Sequence, residues 1–286
     1  MDMTGIAGAA AFLFGAPVAG GLLAGVDRIV TARMQGRKGP PLLQPFYDVG
    51  KLLQKSRLVV NPHQSFYIWG FLVFLLIAGA LFFSGGDLLL SIFALAVAGV
   101  FLALGAFSVN TPYSHIGAER ELLQMMAYEP MLIIAVLGLY QSTGSFLVRD
   151  IVASGRPILA ELPGVFLGFL FILTIKLRKS PFDLSSSHHG HQEIVKGITT
   201  DFAGPDLALI EIAHWYENVL LLGFTCLFFV PLHPALAIAL AVATYMLEVF
   251  VDNTHARLRW QHTVKLSWWT GAALGLSNLA ILDLLR

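Results

Sequence analysis

Residues 88–108 read LLLSIFALAVAGVFLALGAFS, twenty-one positions without one ionisable side chain. As an α-helix this stretch is about 32 Å long at 1.5 Å per residue. The hydrocarbon core of a bilayer is about 30 Å thick. The stretch therefore reads as a membrane-spanning helix. A β-barrel would show short alternating segments instead of long apolar runs.

Seven further stretches read the same way. The spans are expected at about 5–30, 66–84, 88–108, 119–141, 158–177, 207–230, 234–252 and 266–285, separated by Pro, Gly and charge clusters. Composition agrees: 56% of the 286 residues are hydrophobic and 13% charged, with a mean hydropathy of +0.73. Soluble domains carry about 25% charged residues. The expectation is an all-α polytopic membrane protein, a single membrane domain over residues 1–286. The formal net charge of zero carries no nucleic-acid signature. The single cysteine, Cys226, excludes an internal disulfide and a cysteine-ligated cluster within the chain. Asp2 stands where a signal peptide would be basic, so the first apolar stretch reads as a retained helix.

Lys and Arg set the expected orientation. Seven lie in 28–57, four in 176–196 and three in 257–265. Eight alternating spans put these segments and Arg120 on one side, fifteen cations against three. The positive-inside rule assigns that side to the cytoplasm of a cell membrane, with both termini outside. The first cytoplasmic loop is then 31–65 and the third 178–206. Within the first, Leu42, Leu43, Phe46, Val49, Leu52 and Leu53 recur at roughly helical spacing. They predict an amphipathic interfacial helix over 40–56, which anchors the chain or docks a cytoplasmic partner.

Ionisable residues inside spans are expensive and normally functional. The candidates are Asp27, then Glu119, Glu121 and Glu129 in the fourth span. Glu211, His214 and Glu217 follow at a spacing of three in the sixth span, and Glu248 and Asp252 stack four apart in the seventh. Buried carboxylates can exchange protons near neutral pH. This set predicts a proton or ion coupling path. The alternative is inner-rim ion pairs that hold helices together, for example Asp27 with Arg28 or Arg120 with Glu121. Pro130, directly after Glu129, frees a carbonyl in the preceding turn for water or a side chain.

Three motifs carry a family resemblance. DRIVTARMQGRKGPPLLQPFYDVGKLL, IGAERELLQMMAYEP, and SPFDL followed by EIVKG and DFAG together resemble the membrane subunit that respiratory complex I shares with energy-converting [NiFe] hydrogenases. In complex I it is known as subunit 1. SSSHHGHQEIVKG and IEIAHWYE are most similar to the ferredoxin-dependent Ech type. Where the quinone-reducing branch carries glutamates around the PFD motif, Lys176, Ser185, Ser186, Ser187 and His188 stand here.

The resemblance implies a membrane base beneath a soluble arm. That arm would consist of hydrogenase large and small subunits and a ferredoxin-like iron–sulfur subunit, and would hold the [NiFe] and iron–sulfur centres. No cofactor or metal is expected on this chain. An antiporter-like membrane subunit would complete the ion pump. Arm docking is expected from Arg28, Arg33, Gln35, Arg37, Asp48 and Lys51 in the first loop, and from Asp183, His188, His189, His191 and Glu193 in the third. The three histidines lack the ligand spacing of a zinc motif. The alternative reading is the quinone-site subunit of a complex I-like NADH:quinone oxidoreductase. A stand-alone transporter is disfavoured because the halves show no convincing repeat.

Overall fold

The computed structural model describes residues 3–57, 61–185, 196–230 and 232–285. Among these, every regular element is helical. Helix starts follow simple local chemistry. Asp87 accepts a hydrogen bond from Leu90 N at 2.9 Å and so caps the helix that opens at Leu88. Pro112, Pro163, Pro205 and Pro234 each open a helix in the first turn, where the missing N–H is harmless.

The long helices are α1 Met3–Met34, α3 Gln64–Phe83, α4 Leu88–Phe107, α5 Pro112–Thr143, α9 Pro205–Leu227 and α10 Pro234–Thr254. These six are long and apolar enough to cross a membrane among the described residues. Short α2 Gln44–Gln54 follows α1, and α6 Val148–Ala153 follows α5. The fifth expected span is broken: a turn α7 Ile158–Glu161 precedes the 14-residue α8 Pro163–Lys176. Leu162 leaves helical geometry at φ −123°, ψ 45° just before Pro163, which divides the apolar run. At about 21 Å, α8 is shorter than the hydrocarbon core. The eighth span begins earlier than expected, as α11 Trp260–Thr270, and continues through a π-helical segment Gly271–Leu276 into α12 Ser277–Leu284.

Contacts divide the helix ends into two faces. At one face, α1 and α3 meet where Gly8 abuts Phe83, and Leu88 N donates to Phe146 O at 2.9 Å. There Ser142 donates to Glu161 at 2.7 Å, and Asn278 Nδ2 donates to the Glu161 carbonyl at 3.1 Å. At the other face, Asp27 meets Lys179, Asp206 meets Arg57 and Asp183 meets Arg257. Following the chain between these faces gives eight alternating passages among the described residues, as the charge distribution predicts.

Between the faces the core is aliphatic and aromatic. Phe169 stacks on Phe224 at 4.9 Å, with Phe166 and Phe228 beside them. Helix α5 packs against α4, α8 and α11, and α9 against α1, α3 and α10.

Two close approaches position the polar face. A Cβ at Gly25 would collide with the Leu42 carbonyl, so glycine lets the chain into α2 lie against α1. A Cβ at Gly117 would collide with Ile198 N, so glycine admits the 3-10 turn Gly197–Thr199 beneath α5. The expected interfacial helix is corrected in two respects. It begins only at Gln44, after the Pro40–Pro41 pair. Its apolar residues also split: Phe46, Val49 and Leu52 pack on Ala24, Ala208, Ile212 and Trp215, whereas Leu42, Leu43 and Leu53 stay exposed. Part of the face expected to meet lipid is therefore covered by α1 and α9.

Candidate functional site

The sequence KLRKS at 176–180 ends α8 and turns at once. Arg178 takes a left-handed φ of +54°, a conformation that costs about 1 kcal/mol for a residue with a Cβ. Leu177 N, Arg178 N and Lys179 N bond to the carbonyls of Leu173, Ile175 and Thr174 and close the helix tightly. The consequence is that three nearby cations reach four different helices.

Lys176 Nζ lies 2.7 Å from a Glu217 carboxylate oxygen of α9. It also donates to Tyr128 Oη of α5 at 3.1 Å. Arg178 donates to Glu121 of α5 at 2.9 Å and to Nε2 of His214 of α9. A guanidinium has no acceptor, so His214 Nε2 must present its lone pair and the ring proton of the neutral form sits on Nδ1. Lys179 bridges Asp27 of α1 at 2.5 Å and Asp252 of α10 at 3.3 Å. Tyr245 Oη donates to Asp27 at 3.4 Å, and Ser180 N donates to Asp252 at 2.8 Å. Burial alone would pull the Lys179 ammonium pKa down, but Asp27 and Asp252 outweigh it and hold it above the usual lysine value.

Lys176, Arg178, Lys179, Ser180 and Tyr245 line an open chamber of about 590 Å³ on the basic face. Glu211, His214 and Glu217 all line it, as their spacing of three predicts, together with Asp27 and Asp252. Glu121 stands at its wall through Arg178. Glu248 lies one turn into the bundle from Asp252, 3% exposed. Its Oε2 has no hydrogen-bond partner among the described residues. Like Glu121 and Glu248, two further expected members are not on the lining. Glu119 is exposed, because two residues along a helix from Glu121 is about 200° around it. Glu129 is half-buried and off the chamber lining. The alternative of ion pairs that hold helices together also has support here, with other partners than the sequence suggested: Asp27 pairs with Lys179 and Glu121 with Arg178, across helices.

At the rim, Arg28 pairs with Asp48 at 2.5 Å, and Gln44 donates to Asp48 at 2.8 Å. Slight burial would raise the Asp48 carboxyl pKa; these two donors outweigh it and hold it below its ordinary value. Gln35 and Arg37 bond each other and line the chamber mouth, while Arg33 and Lys51 are exposed. Asp183, expected to dock a partner, is buried and paired with Arg257. It holds the third loop to the approach of α11. His188, His189, His191 and Glu193 lie outside the described residues.

Sequence reading used Lys176, Arg178 and Lys179 for orientation and missed them, with Tyr128, Tyr245 and Arg257, as site residues. One signal was available: each tyrosine sits seven residues from an acid, Glu121 to Tyr128 and Tyr245 to Asp252, on the same helical face. Among the described residues no group of three His, Cys, Asp or Glu side chains could hold a metal ion.

An all-helical membrane bundle with a charged chamber on its basic face defines a polytopic membrane subunit built around buried ion pairs. The family model described as NADH dehydrogenase matches residues 7–283, and the chain belongs to that family. It is 28% identical over 279 residues to hydrogenase-4 component C of Escherichia coli K12, covering 86% of each chain. It is 26% identical over 295 residues to formate hydrogenlyase subunit 4 of the same organism, covering 92% of this chain and 94% of that one. An NADH-quinone oxidoreductase subunit of Dehalococcoides mccartyi is 27% identical over 285 residues, covering 90% of this chain and 79% of that one. The fold matches a chain in the structure of the membrane-bound sulfane sulfur reductase, an archaeal respiratory membrane complex. The TM-score is 0.86 at 22% identity, over 97% of this chain and 99% of that one.

Proposed function

We propose that the chain is the membrane-anchoring and ion-coupling subunit of a ferredoxin-dependent energy-converting [NiFe] hydrogenase. Its basic face is cytoplasmic and both termini are external. The basic rim carries an arm of hydrogenase large and small subunits and a ferredoxin-like subunit. These partners hold the [NiFe] and iron–sulfur centres; this chain contributes no redox centre. Its acids link proton and ferredoxin chemistry in the arm to H⁺ or Na⁺ movement through an antiporter-like membrane subunit.

The observation that carries this reading is the Lys176–Glu217 pair at 2.7 Å. It belongs to a chamber wall of alternating cations and acids, which favours ion relay over an apolar quinone tail. The 176–179 turn supplies the transmission element. Because its cations hold α1, α5, α9 and α10 together, a small displacement of the turn by a docked arm changes four ion pairs at once. Buried pairs respond strongly, since separating them leaves uncompensated charge in a medium of low dielectric. Two relatives named as hydrogenase and formate hydrogenlyase components support the same branch.

The NADH-quinone oxidoreductase relatives keep a quinone-site subunit as the second reading. The purified complex decides between them. Hydrogen evolution from reduced ferredoxin, with no reduction of a quinone analogue, is expected. Robust quinone reduction sensitive to quinone-site inhibitors contradicts the hydrogenase assignment.

A further inference from the structure

Pro130 sits inside α5 and has no N–H, so the carbonyl oxygen of Met126, four residues earlier, loses its helical partner. Met126 is 58% exposed, on the outer side of the bundle, where hydrocarbon offers no substitute donor. The indole of Trp268 fills the gap: its Nε1–H donates to Met126 O at 3.1 Å. An indole nitrogen only donates, so the direction is fixed.

Trp268 belongs to the last turn of α11, three residues before the π segment Gly271–Leu276. Beyond the proline that segment presses on α5 again, where a Cβ at Gly275 would meet Ile134 at 2.7 Å. Asn278 then fastens the same helix to α8, its Oδ1 accepting from Gly164 N at 2.8 Å and Val165 N at 3.1 Å. The final helix thus grips α5 on both sides of Pro130. Glu129 stands in the gripped turn, and its neighbour Tyr128 bonds Lys176.

We propose that Trp268 is a positioning residue: its indole N–H replaces the backbone bond that Pro130 removes and so fixes the Glu129 turn against the last helix. This rests on the reading of Glu129 as a coupling acid. A side-chain donor, unlike a backbone donor, withdraws when its own helix shifts. The geometry of the Glu129 turn therefore follows the position of α11.

The test uses the whole complex in vesicles and reads ion uptake per electron transferred. Trp268→Phe removes the donor, and benzothienylalanine at 268 removes it while keeping ring size, which decides the matter if Trp268→Phe fails to assemble. Both are expected to lower uptake per electron about three- to tenfold, the range of interhelical hydrogen bonds in membranes, with electron transfer unchanged. Pro130→Ala returns a backbone N–H to Met126 O, so in that background the Trp268 replacements should have no further effect. Unchanged uptake, or an equal loss in both backgrounds, overturns the proposal while Glu129→Gln still impairs uptake. If Glu129→Gln is also without effect, the coupling role of Glu129 falls and the positioning role falls with it.

Discussion

Lys176 and Glu217 meet at 2.7 Å inside the bundle, each side chain only 6% exposed. Neither charge is tolerable there without the other. Tyr128 completes the site, with its hydroxyl 3.1 Å from Nζ and its ring centroid 4.7 Å away. The pair joins the fifth span to α9, while the two cations that follow it join α5, α1 and α10.

Removing one partner of that pair should be severe. Lys176→Met leaves Glu217 buried and unpaired, a loss of about 3–5 kcal/mol. Lys176→Met with Glu217→Leu should recover most of it, because two apolar groups need no compensation. Thermal unfolding of the detergent-solubilised complex measures both. Equal stability of the single variant and the parent contradicts the pair's role.

The rim pair should behave differently. Arg28 and Asp48 are 44% and 37% exposed, so Asp48→Asn should cost no more than about 1 kcal/mol. Arm assembly is the sensitive readout for Asp48→Asn and Arg37→Ala, measured by co-purification. An arm that stays attached and active removes these residues from the docking surface. The Asp48 pKa is lowered in the fold, so its contribution is present above the ordinary value of 3.8 and disappears as pH falls through the lower folded value.

Lys179 titrates at the opposite end. Its folded pKa is raised above the ordinary 10.5, so the stability it confers is complete below pH 10.5 and is lost only as pH rises through the folded value. The gap in unfolding midpoint between the parent and Lys179→Met should hold constant from pH 6 to about pH 10. A gap that closes near neutral pH contradicts the Asp27–Lys179–Asp252 clamp.

Glu211→Gln and Glu248→Gln test the acids directly. Both should leave part of the hydrogen evolution from reduced ferredoxin while lowering ion uptake, Glu248 because its buried Oε2 has no hydrogen-bond partner among the described residues. Proton or sodium uptake by reconstituted vesicles reports the effect, and unchanged uptake removes the residue from the path.

Much of the fold was legible because hydrocarbon thickness dictates the length of each apolar run. The stretch 88–108 became α4 within a residue at its C-terminal end. The broken fifth span was missed although Glu161, Pro163 and Gly164 mark it in the sequence, because the long apolar run that follows was extended back to Ile158 across them. The acids of α9 were legible from their spacing of three. Their partners were not, because the left-handed turn at Arg178 sends nearby cations to different helices and no sequence period records that. Pro130 announced an unsatisfied carbonyl, but only the packing of α11 identifies Trp268 as the donor.

On the proposed function, buried ion pairs at the 176–179 turn couple arm chemistry to ion movement. The most direct measurement is ion uptake per molecule of hydrogen evolved from reduced ferredoxin, in vesicles carrying the complex with Lys176→Met and Glu217→Leu together, which removes the pair without leaving a buried charge uncompensated. A fall of about tenfold in that ratio, with hydrogen still evolved, is the expected result; tenfold corresponds to a bias of about 1.4 kcal/mol. A ratio equal to that of the parent complex contradicts the claim.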